Sequence, residues 1–218
     1  MSQEDMLVAL QREVESLKNK MSELEKRAGA ADDYIAISNL QRTYGYYVDK
    51  GQWDDAADLF AENGTLEIAG RGVYKGQDRV RQYMNNFPKY ERGVLFNHMQ
   101  LQPVITINAE SGTAKGRWRT FIQIATLDVE ARWGEATYEN EYVKVDGIWR
   151  IAKLHGFITF YSEYDRGWDK GGVKLVRSFK GLEPDAPSTY NYEAWPEAFI
   201  PPYHYPNPVT GRRNNGSV

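Results

Sequence analysis

Residues 133–161 read WGEATYENEYVKVDGIWRIAKLHGFITFY. Two runs rich in β-branched and aromatic residues, 133–145 and 148–161, flank the pair Asp146-Gly147. Asp-Gly between such runs is a strong hairpin signal, because a tight two-residue turn needs positive φ at both central positions. Alternate residues of a strand share a face. If Trp149 and Ile151 belong to the core, then Lys153 and His155 are expected on that same inward face. On the partner run Tyr138, Asn140 and Tyr142 share one face.

Outward from this hairpin the pattern stays β. Residues 95–107 are rich in strand formers, Asn108 to Gly112 reads as a turn, and 113–126 returns. Further upstream the period changes. Tyr34, Ile37, Leu40, Tyr44 and Tyr47 or Val48 recur at helical spacing, with Asp32 and Asp33 as candidate N-caps and Lys50-Gly51 as the stop. A short helix follows from Trp53 to Phe60. A strand-like stretch runs from Gly64 to Tyr74, with Gly70 and Gly72 marking a turn, and a third helix runs from Gln77 to Phe87, before Pro88. Helices first and a long antiparallel meander afterwards make an α+β domain over residues 30–170.

Two extensions flank it. In residues 1–29, Leu7, Leu10, Val14, Leu17, Met21 and Leu24 form a heptad seam of roughly three repeats, and Gly29 is expected to end that helix. The seam suits either an amphipathic helix lying on its own domain or an intersubunit coil. Residues 171–218 hold most of the prolines, together with Tyr190, Tyr192, Trp195, Phe199, Tyr203 and Tyr205. Such a tail forms no regular structure and is expected to wrap over the body or a neighbour. Left exposed, its aromatics would be a large apolar patch for a monomer. With the heptad seam, they point to a homo-oligomer, a trimer or dimer, in which the tail joins the subunit contact and is a candidate lid.

Composition narrows the chemistry. The net charge of -3 argues against a nucleic-acid binder, which should carry a basic stripe. With no cysteine, a disulfide framework, a thiolate zinc site and a thiol nucleophile are excluded. Three histidines supply no compact metal spacing, and there is no nucleophile-elbow serine, P-loop or dinucleotide fingerprint. Hence no metal and no cofactor is expected. With no leader and no membrane span in the sequence, the expected location is cytoplasmic. The 15 Tyr, 6 Trp and 8 Phe suit an aromatic-lined ligand cavity as well as heavy core packing.

This order of elements resembles the nuclear transport factor two-like, SnoaL-like superfamily, a cone of helices packed into a strongly curved antiparallel sheet. The residues that carry the resemblance are Leu40, Tyr44, Asp49, Gly51, Trp53 and Leu59-Phe60-Ala61, then Tyr74-Lys75-Gly76 and Asn97-His98. Tyr138-Glu139-Asn140-Glu141 and Asp146-Gly147-Ile148-Trp149-Arg150-Ile151 complete the set, over about residues 33–162. The fold hosts enzymes, binding modules and transport adaptors alike. Scytalone dehydratase, a cofactor-free member, is similar in having an Asp at the end of the first helix and a His at the start of a strand. Asp49 and His98 match those positions. Val48 and Gly70 stand where that enzyme has tyrosines, and its second catalytic histidine falls near Trp118. The heptad helix, the aromatic cone and the tail PPYHYPNPVTGR are similar to bacterial lyases that deformylate lignin-derived diarylpropane dimers.

What the resemblance implies is a cofactor-independent lyase. It would release formaldehyde from a 1,2-diarylpropane-1,3-diol and leave a stilbene, through loss of the benzylic hydroxyl and a quinone methide. Protonated His98 or Lys153 would assist departure of the hydroxyl, and Asp49 or His155 would act as base. Tyr138 and Asn140 would orient a hydroxyl or phenol, with Trp118 and Tyr47 as aryl contacts. Each has a plainer reading: Asp49 as a solvated helix end, His98 as a satisfied core residue, Lys153 and His155 as a network with Glu141 or Asp49. The competing functions are a dehydratase or isomerase of a polyketide, steroid or terpenoid, and a non-catalytic ligand-binding cone.

Overall fold

The computed structural model describes residues 2–176, 179–214 and 216. A first helix, α1 (Gln3–Asp49), leads into α2 (Trp53–Asp58), β1 (Phe60–Ile68), β2 (Val73–Lys75) and α3 (Gln77–Met84). Four long strands follow: β3 (Val94–Asn108), β4 (Thr113–Thr126), β5 (Glu130–Val145) and β6 (Ile148–Glu163). The expected α+β order is present, and the hairpin turns at Asp146 and Gly147, both with positive φ (50° and 79°).

The six strands form one sheet in the order β2-β1-β6-β5-β4-β3. All neighbours are antiparallel except β1 and β6, which run parallel, so the sheet is mixed where a purely antiparallel one was expected. No hairpin dictates that pairing. The two strands are far apart in sequence, and the intervening chain supplies the crossover that parallel strands require. The sheet curls around the C-terminal part of α1, and α2 and α3 pack on each other and against β1. The core joins Ile37, Tyr44 and Val48 of α1 to Phe60, Leu66, Trp118, Ile122, Tyr142, Ile151 and Leu154.

Two expectations about α1 are overturned. Gly29 does not end a helix, and Asp32 and Asp33 do not cap a second one, because α1 is a single helix of 47 residues. A glycine costs a helix interior about 1 kcal/mol, which its alanine-rich neighbours tolerate. The Asp33 carboxylate is used otherwise: its Oδ1 accepts from Lys144 Nζ at 2.7 Å and Trp149 Nε1 at 2.8 Å, tying α1 to the β5–β6 hairpin. Every residue from Ser2 to Asp32 is exposed, so the seam does not lie on its own domain.

Of the two surfaces that residues 171–218 were expected to wrap over, the body or a neighbour, the tail covers the body. After a short 3-10 turn at Trp168–Lys170, the described residues of the tail form no helix or long strand, and they pack on the cone. Tyr192 is buried, Phe179, Tyr190, Phe199, Tyr203 and Tyr205 are half-buried, and Trp195 is exposed. The apolar patch invoked for a subunit contact is therefore largely covered by intrachain packing.

β6 makes this docking possible. Its pairing with β5 shifts register twice, leaving Ala152 and Thr159 as extra residues. Around the second shift, Tyr192 Oη accepts the Ile158 N–H at 2.8 Å and the Trp195 N–H donates to the Thr159 carbonyl at 2.8 Å. Backbone groups freed from the ladder thus find partners in the tail.

Candidate active site

The concave side of the sheet encloses a cavity of about 200 Å³. Tyr44 and Val48 of α1, Tyr83 and Met84 of α3, His98 of β3 and Tyr138 of β5 line it with Ile158 and Tyr161 of β6. Its exposed lining residues, Lys174 and Val176, put the mouth beneath the start of the tail. An apolar cavity of about 150 Å³ suffices for benzene, so this one is large enough for an aromatic ring.

His98 is the titratable residue the sequence placed here, and the structure keeps it here. Its ring stacks on Phe96 (centroids 4.5 Å apart), and Nδ1 is fully buried without a hydrogen-bond partner although the residue as a whole is only part-buried. Burial, reinforced by the positive charge of Arg71, pushes its pKa down to about 3. The imidazole is therefore neutral at pH 7. That state does not match the protonated His98 expected to assist departure of a hydroxyl.

Side chains hold the main chain of His98 from both sides. The His98 N–H donates to Asp49 Oδ1, and the His98 carbonyl accepts from Gln100 Nε2 at 3.0 Å. Asp49 does not enter the cavity. It lines a shallow outer groove with Arg42, Tyr46, Met99 and Gln100, and His98 lines both spaces. Partial burial raises the Asp49 pKa, opposed by the His98 N–H. Its carboxylate fixes the strand that carries the imidazole and makes no contact with the ring.

Tyr138 lines the cavity as expected, and Tyr44 lines it too, their hydroxyls acting on each other electrostatically. Burial raises both phenol pKa values well above the ordinary range, so both stay protonated donors. Trp118 and Asn140 face inward but lie in the packed narrow end and do not line the cavity. Trp118 Nε1 donates to Tyr142 Oη at 2.8 Å, and Tyr142 Oη donates to Gln41 Oε1 at 2.8 Å. Asn140 Nδ2 donates to the same Gln41 oxygen at 3.0 Å. Gln41 Nε2 continues the chain to Gln100 Oε1 at 2.9 Å, and so to His98. The two residues expected to touch substrate instead build the scaffold behind the site. Tyr47 packs half-buried against the core and does not line the cavity.

Lys153 and His155 are on the other face of the sheet. Inward parity holds through Trp149 and Ile151, and the extra residue at Ala152 then inverts it. Leu154 and Ile158 point into the core, while Lys153 and His155 lie in a cleft beneath the tail with Tyr190 and Tyr203. His155 Nε2 sits 3.4 Å from Glu67 Oε1, which also accepts the Thr189 N–H at 2.7 Å. Burial, then the Lys153 charge, lowers the His155 pKa to about 3, so this contact is not an ion pair at pH 7. The cluster fastens the tail.

Sequence reasoning passed over Arg71. It stands between Gly70 and Gly72 in the β1–β2 turn, where Ala69, Gly70 and Gly72 all take positive φ (51°, 75° and 84°). That turn aims the guanidinium inward: Nη1 donates to Tyr83 Oη at 2.6 Å and Nε to the Val176 carbonyl at 3.1 Å. An arginine flanked by two turn glycines was the available signal. Tyr83 and Tyr161, also missed, carry no mark beyond helical and strand periodicity. Among the described residues no group of three His, Asp or Glu side chains is placed to hold a metal ion, and no helix is long and apolar enough to cross a membrane.

The sequence signature of the SnoaL-like domain matches residues 29–155. Hexachlorocyclohexane dehydrochlorinase 1 of Sphingobium indicum is 26% identical over 147 residues, covering 65% of this chain and 89% of that protein. A solved structure described as a putative scytalone dehydratase from Novosphingobium aromaticivorans superposes with a TM-score of 0.57 at 19% identity, covering 72% of this chain and 95% of its own. Hexachlorocyclohexane dehydrochlorinase LinA-type3 from Novosphingobium barchaimii gives 0.55 at 21% identity, covering 62% and 91%. With more than half its length matched by one domain signature, the chain belongs to the SnoaL-like family.

Proposed function

We propose that the protein is a lyase that needs no cofactor and eliminates a leaving group from a hydrophobic aromatic substrate. The finer proposal is release of formaldehyde from a 1,2-diarylpropane-1,3-diol to give a stilbene. The observation that carries the elimination is the enclosed, aromatic cavity in which a neutral imidazole with an unpartnered Nδ1 shares the space with two protonated phenols. Elimination needs a base of that kind, hydrogen bonds to a departing oxygen, and exclusion of water.

In this reading the electron pair of a phenolic oxygen moves through its ring as the benzylic C–O bond breaks. The Tyr44–Tyr138 pair hydrogen-bonds the departing oxygen and gives it a proton, so that it leaves as water, and the proton that His98 takes up in the next step is returned to that pair. His98 then accepts the proton of the terminal hydroxyl. The carbon–carbon bond breaks, formaldehyde leaves, and the electron pair released restores the aromatic ring of the quinone methide and forms the stilbene double bond. The base is His98 in place of Asp49 or His155. The quinone methide is the electron sink, so the reaction calls for no metal or cofactor.

The second reading is elimination without carbon–carbon cleavage. It is favoured by the similarity to a dehydrochlorinase and to a putative scytalone dehydratase. Assay of formaldehyde alongside the alkene separates the two: stoichiometric formaldehyde supports the first, and an alkene with no formaldehyde supports the second.

For assembly, we propose that the exposed seam Leu7, Leu10, Val14, Leu17, Met21 and Leu24 pairs with the same seam of a second copy. All six are at least 43% exposed and lie at heptad spacing. Sedimentation of wild type and a Leu10→Ser, Leu17→Ser double variant tests this. A dimer or trimer that dissociates in the variant is expected, and a monomeric wild type at micromolar concentration would refute it.

A further inference from the structure

Three cations, Arg71, Arg132 and Lys174, line the cavity, and among the described residues no Asp or Glu does. Arg132 has a partner away from the cavity wall, with Nη2 2.7 Å from Glu130 Oε2, but its Nε is buried without any. Arg71 is more exceptional. Its described partners are the Tyr83 hydroxyl, the Val176 carbonyl and the face of Phe179, 5.2 Å from the guanidinium carbon, and all are neutral. A guanidinium has five N–H donors, and these oxygens take two. Among the described residues it has no carboxylate within 4.0 Å. A charge enclosed without a counter-ion is costly, and it persists where a ligand supplies the missing charge. Both guanidiniums and Tyr161 line the same cavity.

We propose that Arg71, with the free Nε of Arg132, binds an ionised oxygen carried on the ligand's aromatic ring, a phenolate. The surroundings select a ring-borne anion over a free one. Phe87, Phe96 and Phe179 line the space between the cations and His98, which suits an aryl group and excludes a hydrated ion. This assignment rests on the elimination proposed above and names its substrate requirement: the reacting ring bears a free phenol. Arg71 then keeps that oxygen ionised, and its electron pair is the one that expels the benzylic hydroxyl. An etherified ring cannot supply the pair.

The test uses 4-nitrophenol, whose ionised form absorbs visible light and which is not a substrate, with 4-nitroanisole and benzoate as the other ligands. Titrating the pH with the full-length protein should show the bound probe ionising at least one pH unit lower than the free probe, a tenfold preference for phenolate. 4-Nitroanisole should bind at least tenfold more weakly. Arg71→Gln should erase the preference and Arg71→Lys retain part of it. Equal affinity of wild type for 4-nitrophenolate and 4-nitroanisole would overturn the proposal, as would an unchanged preference in Arg71→Gln. Benzoate as the only Arg71-dependent ligand would overturn it as well. If Arg71→Gln does not fold, the wild-type titration and the 4-nitroanisole comparison decide alone. Because the probe does not turn over, phenolate binding without formaldehyde release would sink the reaction and leave this site standing, and the converse holds.

Discussion

Replacing Tyr142 by Phe removes one hydroxyl from the narrow end of the cone and separates scaffold from site. That hydroxyl accepts Trp118 Nε1 at 2.8 Å and Asn140 Nδ2 at 3.3 Å, and it donates to Gln41 Oε1 at 2.8 Å. All four side chains are buried. Asn140 and Gln41 still satisfy each other at 3.0 Å in the variant, but the indole N–H of Trp118 loses its acceptor. A stranded buried donor costs about 1–3 kcal/mol, and loss of the bond to Gln41 adds roughly 0.5–1.5 kcal/mol. The expected loss is about 2–4 kcal/mol, a fall in Tm of roughly 5–12 °C for a chain of this size. Urea unfolding followed by tryptophan fluorescence gives the stability, and turnover at a temperature where the variant is fully folded gives the activity. Because Gln41 keeps its bond to Gln100, and Gln100 its bond to the His98 carbonyl, kcat/KM should stay within about threefold of wild type. Unchanged stability with KM raised tenfold or more would show that this cluster contacts the substrate and that the scaffold assignment is wrong.

His98→Gln should lower kcat by about 10²–10⁴-fold, the range for loss of a proton-transfer group, while ligand binding persists; single-turnover kinetics with a binding titration check both. Asp49→Asn keeps an oxygen for the His98 N–H and should cost less than about tenfold in kcat, whereas a loss matching His98→Gln would make the carboxylate a proton-transfer group. His98 and His155, held neutral with pKa values near 3 against an ordinary 6.5, bind protons in the unfolded chain first as pH falls. Their stabilisation is complete above about pH 6.5 and is lost between there and pH 3, at up to about 1.4 kcal/mol per pH unit for each; urea midpoints from pH 7 to 4 in wild type and His155→Gln measure it, the variant having the shallower slope. Thr189→Val removes the hydroxyl on Glu67 Oε2 at 2.7 Å and should cost about 1–3 kcal/mol, loosening the tail as read by protease cleavage after residue 171.

The parts of the molecule legible in the sequence are those fixed by short-range pattern. Asp146-Gly147 located the hairpin, and the change from helical to alternating period located the boundary before β3. Parity then failed along β6, where one extra residue at Ala152 moved Lys153 and His155 to the far face. A register shift leaves no mark in hydrophobicity when the residues on both sides, Leu154 and His155, are buried alike. Trp118 was assigned by face correctly and by depth wrongly, since parity gives the side of a sheet and not the distance along a cone. Gly29 misled because its cost of about 1 kcal/mol is real but too small to stop a helix of 47 residues. Arg71 carried only the two flanking turn glycines as a signal: that no described carboxylate lies within 4.0 Å of it is a tertiary fact, which no local motif records.

If the cavity that His98 lines expels a hydroxyl and then formaldehyde from a phenolic diarylpropanediol, the two carbon products must form together. The most direct measurement is incubation of wild type and His98→Gln with such a diol, without added metal or cofactor, while quantifying formaldehyde and the stilbene absorbance together. The account predicts equal amounts of the two products from wild type and a loss of at least a hundredfold in the variant. No formaldehyde from a folded wild-type protein, or equal rates from both, would contradict it.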